Sequence, residues 1–469
     1  MLSLNLLIKP FWILGIDRNV QNLLGDHTYG MYFALFNFSL LLNILLDVGI
    51  TNFNNRNIAQ HNFLLKKHFS NIVVLKFLLA IIYTVFTLVL AAVMGYSKVQ
   101  FHLLFFLIFN QFLISFTLYL RSNISALHLF KTDSIISVLD RSLMIAICSI
   151  LLFSARFKVH FTIELFVYAQ TAAYLITTIV TFLIVLKKSG RISIRFNPKF
   201  YTVFLRKSYP YALLVLLMSF YNRIDAVMLE RLLPGEIGNE QAGIYAQAFR
   251  LLDAVSMFGV LVAGLLLPMF AKMIKQKDHV GQLVKLSFTL LMIPAIVIAV
   301  SSIFYDVEIM EALYHSNTAH SSELLGILMT GFLGIAMSYI YGTLLTANGS
   351  IRQLNIMAFA GMVLNVVLNL ILIPQFQAFG SAYSSLATQL FAGITQAFIA
   401  MSIFKLKPDF RFIIQLVLFA TGVIALAFIS KMFTNWVLGY FFLLFLSVPV
   451  AFLLRLINFK DIIKIIMSR

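Results

Sequence analysis

The stretch that decides the fold is "YALLVLLMSFYNRIDAVMLERLL", residues 211–233. It opens on an unbroken apolar run suited to hydrocarbon, and the same helix must then continue through Asn222, Arg223 and Asp225. Two residues apart on an α-helix means about 200° around the axis. Arg223 and Asp225 therefore cannot neutralise each other, and each needs a neighbour on another helix or in water. A charge at the centre of a bilayer costs about 2.5–3.5 kcal/mol on insertion scales, so such side chains face a bundle interior or a water-filled cavity.

Composition makes the membrane reading general. Of 469 residues, 61% are hydrophobic and 11% charged, whereas a soluble globular chain carries about 25% charged residues. The mean hydropathy of +0.94 exceeds what one water-soluble core can bury. The expectation is an all-α polytopic membrane protein. A span needs about 20 apolar residues, and about fourteen segments meet that pattern. They lie near 2–16, 30–50, 71–95, 101–120, 134–154, 161–186, 208–229, 243–270, 283–303, 323–345, 353–374, 380–404, 411–430 and 434–455. The first is short, and 17–29 reads as an outer loop. "SLNLLIKPFWIL" (3–14) has Lys9 in mid-run and no small-residue cleavage site, so it does not read as a secretory signal. The single cysteine, Cys148, excludes an intrachain disulfide framework, and no Cys/His spacing suggests a metal.

The loops alternate in charge. Segment 272–285 carries four lysines against Asp278, and 187–207 and 405–411 are also basic; 229–241 carries three glutamates against Arg231. By the positive-inside rule this predicts an even number of spans with both termini cytoplasmic. The net charge of +17 is then a matter of topology and anionic lipid headgroups, and nucleic acid is not an expected partner. No loop is long enough for a soluble domain, and no G-x-x-x-x-G-K-[ST] loop is present to bind nucleotide. A faint internal repeat relates 25–50 to 238–268. Each copy has G-x-Y and then an aromatic helix with an acidic residue, Asp47 or Asp253. The separation of about 210 residues corresponds to six spans, as in duplicated transporters.

The charged groups within spans are the candidate chemistry. Arg250 and Asp253 are i, i+3 and share a face; Asp140 and Arg141 are adjacent and diverge by about 100°. Buried ion pairs fixing helix register are one reading. A cationic cavity for an anionic headgroup is the other, because the guanidinium fork donates two parallel hydrogen bonds to phosphate. Asn365 with Asn369, and Gln389 with Gln396, recur at helical spacing. Interhelical hydrogen bonds or contacts to sugar hydroxyls both fit them.

Residues 23–60, "LLGDHTYGMYFALFNFSLLLNILLDVGITNFNNRNIAQ", and 221–274, which include "YNRIDAVMLERLLPGEIGNEQAGIY", resemble the Wzx-like oligosaccharide flippases. These belong to the multidrug/oligosaccharidyl-lipid/polysaccharide exporter superfamily. The resemblance implies two six-helix bundles forming a pseudo-twofold V, plus two C-terminal helices. On this sequence that places an N-terminal bundle at 1–186, a basic cytoplasmic linker at 187–207, a C-terminal bundle at 208–404 and the added helices with a basic tail at 405–469. It implies no catalytic residues and no cofactor, with H⁺ or Na⁺ as the candidate coupling ion. The implied substrate is an undecaprenyl-diphosphate-linked oligosaccharide bound for O-antigen, lipopolysaccharide or another polysaccharide at the bacterial inner membrane. Glycosyltransferases and a glycan polymerase would be its partners, beside the membrane lipids. The substrate-binding candidates are Arg223, Arg250, Arg141 and Lys9. Asp225, Asp253, Asp47 and Asp140 are candidate charge partners or ion-coupling groups, and Asn365, Asn369, Gln389 and Gln396 candidate polar cavity residues. The alternatives are a multidrug/cation antiporter of the same superfamily, or a membrane glycan polymerase or ligase.

The topology has a direct test. In a Cys148→Ser background, a cysteine at His279 should react with an impermeant maleimide only after permeabilisation, and one at Glu236 in intact cells. The reverse pattern would invert the chain.

Overall fold

The computed structural model describes residues 10–51, 64–154, 158–189, 198–407 and 409–456, together with Ile8, Asn54 and Ile58. Among them are fourteen α-helices. A π-helical turn, Trp12–Asp17, leads into α1 (Arg18–Leu41). The following helices are α2 (Leu64–Val93), α3 (Lys98–Ala126), α4 (Phe130–Phe153), α5 (Ile163–Ser189), α6 (Pro198–Leu232) and α7 (Glu236–Gln276). After these come α8 (Gly281–Phe304), the short α9 (Asp306–Leu313), α10 (Thr318–Ala347), α11 (Ile351–Phe376), α12 (Ala378–Phe404), α13 (Phe410–Ser430) and α14 (Trp436–Leu453).

Twelve of these helices are long and apolar enough to cross a membrane. Gly25 breaks the α1 region with φ 76°, ψ 168°. The Tyr29 hydroxyl donates to the Asp17 carboxylate at 2.8 Å. On a straight helix twelve residues would separate them by about 18 Å, so the chain folds back at Gly25 into two antiparallel arms. Glycine is required there because the positive φ strains any L side chain. This corrects the outer loop expected at 17–29: residues 18–24 are helical, and the reversal is one sharp turn. The polar sequence "DRNVQN" hid the helix, since Asp17 and Gln21 are buried and hydrogen-bonded inside the fold instead of to water.

Two compact units divide the chain: Met1–Ala246 with Asn369–Ser381, and Gln247–Leu368 with Ala382–Arg469. The boundary cuts through α7, α11 and α12. In the first unit Phe69, Tyr119, Leu120, Ile136 and Val185 build a core across α2 to α5. Ser97 and Gln100 close a reciprocal capping box at the start of α3, satisfying two amides that would otherwise be orphaned. In the second unit α13 and α14 pack Phe419, Val423 and Leu443 against Ile293 and Val297 of α8. The Tyr305 hydroxyl joins Ser430 there at 2.7 Å. Pro210, Pro268, Pro294 and Pro374 lie inside helices that continue through them, as spanning helices tolerate where neighbours satisfy the freed carbonyls.

One contact in the first unit is reciprocal. A Cβ at Gly30 would collide with the Asn239 carbonyl oxygen, and one at Gly243 with the Asp26 carbonyl oxygen. Gly30 and Gly243 are 213 residues apart, and so are Asp26 and Asn239. The two copies of the repeat thus press backbone on backbone through equivalent atoms, the close approach that small residues permit between spanning helices. Gln21 bridges the seam, donating to Asp26 at 3.1 Å and to the Gly243 carbonyl at 2.9 Å. Gly30→Ala should cost about 1–3 kcal/mol by overpacking, read as a lowered melting temperature in detergent. Gly264→Ala, with nothing within 4 Å of its added methyl, is the matched control. Equal effects of the two would refute the tight seam.

Candidate functional site

The fold-back at Gly25 moves two charges from an expected loop into a spanning arm. Asp17 is 2% exposed, and its carboxylate accepts the Tyr29 hydroxyl. It ends a π-helical turn, a widened backbone often found at functional positions. Arg18 follows, half-buried, with Nη2 donating to Asn19 Oδ1 at 3.4 Å and Nε buried without a partner among the described residues. Neither residue was singled out from sequence. A signal was available: Asp17–Arg18 and Glu230–Arg231 are acidic–arginine pairs at the same spacing of 213 that relates the two glycines.

Asp225 sits in a buried hydrogen-bond network. Asp225 is 1% exposed. It accepts from Asn369 Nδ2 at 2.8 Å and from the Tyr245 hydroxyl at 3.1 Å, and Asn369 Oδ1 in turn accepts from Ser381 at 3.1 Å. Within the first unit Tyr245 thus links α7 to α6. Arg223 is half-buried. A buried carboxylate surrounded by amide and hydroxyl groups can hold a proton or coordinate a hard cation through oxygen.

The remaining candidates sort by burial. Arg141 Nε stands 3.9 Å from Asp140 at the middle of α4. Arg250 and Asp253 pair along one face of α7 at 3.8 Å. Asp47 pairs with Lys76 at 2.5 Å, and the same ammonium donates to the Leu46 carbonyl at 2.9 Å and to Ser115 at 3.1 Å. This contact has a local cause. The helix stops at Leu41, passes through a 3₁₀ turn at Asn43–Leu46 and reaches positive φ at Val48 and Gly49. A break inside a span leaves carbonyls that need donors, and Lys76 supplies one. Asn365 and Gln389 are buried. Gln396 packs against Gly342 and donates to the Met357 sulfur at 3.9 Å, which makes it a packing residue in its own unit. Lys9 lies outside the described residues.

At the acidic-loop end of the first unit a polar cluster ties α6 to α3. Gln100 Nε2 donates to Glu230 at 2.7 Å, and Glu230 also accepts from Arg231. Arg231 donates to the Met94 carbonyl at 3.0 Å and lies 4.1 Å from the centre of the Tyr96 ring. Burial, with Glu230 adding to it, pushes the Tyr96 hydroxyl well above its ordinary range. Gln100, Glu230 and Arg231 border a cavity of 460 Å³ lined also by Met31, Ser97 and Asn239. The end is fastened, not open.

The Asp225 network makes a graded prediction. Asp225→Ala leaves the Asn369 amide and the Tyr245 hydroxyl without their acceptor, at a cost of about 1–3 kcal/mol for each buried group. Asp225→Asn keeps one acceptor oxygen and should lose less. Thermal unfolding in detergent with the two variants equal to wild type would show that the network contributes nothing.

Comparison places this geometry among known proteins. No curated protein matches the chain. A structure described as "Lipid II flippase MurJ, inward closed conformation" superposes with a TM-score of 0.71 at 16% identity, covering 99% of this chain and 100% of that one. An inward-facing multidrug resistance MATE family transporter of the MOP superfamily gives 0.60 at 15% identity, over 86% of this chain and 95% of that one. A MOP superfamily transporter from Pyrococcus furiosus gives 0.59 at 14% identity over the same shares. The chain therefore has the fold of these transporters. The family described as "Polysaccharide biosynthesis protein" matches residues 19–274, more than half of the sequence, and the chain belongs to that family.

Proposed function

We propose that this chain carries an undecaprenyl-diphosphate-linked oligosaccharide from the cytoplasmic to the periplasmic leaflet of a bacterial inner membrane by alternating access. The observation that carries the reading is the set of half-buried guanidinium groups at span depth: Arg18, Arg141, Arg223 and Arg250. Each is costly in hydrocarbon, and arginine's planar, permanently charged fork suits diphosphate. Membership of the polysaccharide biosynthesis family supports a glycan as cargo. The fold shared with a lipid II flippase supports a lipid-linked one. In this reading the basic loops and both termini are cytoplasmic, and the fastened end of the first unit is the periplasmic gate. The product would pass to a polymerase for O-antigen or another exported polysaccharide.

The fold is shared with multidrug transporters as well, and that likeness supports a cation antiporter as the second reading. Four basic groups at span depth disfavour a cationic cargo by direct repulsion. Movement is coupled, in the favoured reading, to H⁺ or Na⁺ at Asp225, whose neighbours Asn369, Tyr245 and Ser381 offer only nitrogen-bound hydrogens and oxygen atoms.

Proteoliposomes loaded with a fluorescent lipid-linked oligosaccharide test the proposal. Wild type should move the lipid to the opposite leaflet. Arg18→Ala and Arg250→Ala should slow it by about tenfold or more, as expected for loss of a charge-assisted contact. Asp225→Asn should abolish the dependence of the rate on a pH or Na⁺ gradient. A lipid that stays in the donor leaflet, with drug cations exchanged instead, would establish the antiporter reading.

A further inference from the structure

We propose that the break at the end of α1 is a monovalent-cation site built from carbonyl, carboxylate and hydroxyl oxygens, and that Lys76 fills it as a tethered ammonium. The site is separate from the guanidinium groups and from Asp225. It stands whether or not the cargo is a lipid-linked glycan.

The backbone is the first argument. In a regular helix the Ile50 amide would donate to the carbonyl four residues back, that of Leu46. Here it donates to the Asp47 carbonyl at 2.8 Å, which leaves the Leu46 carbonyl to other donors. Val48 holds φ 41° beside Gly49 at φ 81°, and for a β-branched residue such a value is an outlier. Strain of that kind persists only where the surroundings over-determine it. The turn thereby brings the Leu46 carbonyl and the Asp47 carboxylate to one point.

The donor set is the second argument. Lys76 Nζ stands 2.5 Å from Asp47 Oδ1, 2.9 Å from the Leu46 carbonyl oxygen and 3.1 Å from Ser115 Oγ. The centre of the Tyr119 ring lies 6.0 Å away, within the reach of cation–π attraction. The break, α2 and α3 thus meet at one ammonium. Thr51 donates its hydroxyl to Asp47 at 2.6 Å and orients the carboxylate. Ser115 donates to the Leu46 carbonyl at 3.3 Å, which leaves its lone pairs for the ammonium. Oxygen ligands of this kind are what hard cations take. Unwound carbonyls of a discontinuous helix are a recurring monovalent-ion site in spanning proteins. One carboxylate among neutral oxygens balances a single positive charge, so the site favours a monovalent occupant.

The occupant is the third argument. The Lys76 side chain is 1% exposed, at a depth where an apolar side chain is the default. Burying an ammonium is unfavourable unless its surroundings require the charge. A dissolved ion would have to be captured from water, whereas a tether holds its charge at high effective concentration. The hold on the break is therefore independent of dissolved salt.

Full-length protein in detergent tests this by chemical rescue, in an Asp225→Asn background so that no ion held at Asp225 contributes. Lys76→Ala should lower the melting temperature by about 5–10 °C, as for a broken buried pair. Propylammonium, the fragment that this substitution removes, should restore at least half of the loss. Neither 1-propanol, which has the shape without the charge, nor tetramethylammonium, which has the charge without N–H donors, should restore any. The parent protein should respond to none of the three. Lys76→Met keeps the length of the side chain without its charge and should fall as far as Lys76→Ala. Adding Asp47→Asn to Lys76→Met should recover less than half of the loss, because the Leu46 carbonyl still lacks its donor. Lys76→Met as stable as the parent would make the lysine a packing residue and overturn the site. Full recovery in the double variant would reduce it to an ion pair and overturn it too. So would Lys76→Ala that responds to no amine, or equally to propanol or tetramethylammonium. Should Lys76→Ala fail to fold, the two Lys76→Met proteins decide the matter.

Discussion

Everything in the first unit is referred to the seam where Gly30 meets the Asn239 carbonyl and Gly243 meets that of Asp26. Lipid offers spanning helices no hydrophobic drive to associate, so van der Waals contact and hydrogen bonds must hold them. Removing two side chains brings backbone against backbone, and Gln21 adds a donor across the join. The seam sets the distance between α1 and α7. Tyr245, just beyond the seam on α7, is thereby presented to Asp225, while Tyr29, the residue before Gly30, is presented to Asp17. Two buried carboxylates are thus addressed by tyrosines on either side of one close contact.

The polar groups show two ways of keeping charge in an apolar chain. Lys76 is enclosed, and its three contacts saturate a helix break that would otherwise expose carbonyls to hydrocarbon. Arg141 is left a quarter open, as is its partner. The first arrangement leaves nothing of the ammonium to be hydrated, while its partner Asp47 keeps 24% of its side chain exposed. The second persists only beside water, and so traces where water enters.

Much of this was readable in the sequence. Apolar runs of span length located the long helices, because hydrocarbon thickness dictates a minimum length that few other pressures imitate. The separation of Arg223 from Asp225 followed from helical angle alone. The arm containing Asp17 and Arg18 was not legible, because five polar residues among the six at 17–22 resemble a hydrated loop until their partners are known. Those partners are remote or geometric: a tyrosine twelve positions on, and a reversal that hinges on one positive φ at Gly25. The surroundings of Asp225 were similarly hidden, since Asn369 lies 144 residues away. Gln396 lies against Gly342; periodicity marks a helix face without saying what that face meets.

The equal spacing at the seam has an ancestral consequence. Partners that exchange identical contacts are what a symmetric dimer of half-length chains would use, and fusion of two such halves freed each copy to change alone. The acidic–arginine pair records that freedom. Arg231 is committed to Glu230, Met94 and the Tyr96 ring. Beside its counterpart Arg18 the carboxylate accepts from Tyr29 instead, and among the described residues Arg18 reaches Asn19 at 3.4 Å. One inherited dipeptide has specialised into a fastener and an open hand, an asymmetry that no homodimer with a single gene could have evolved.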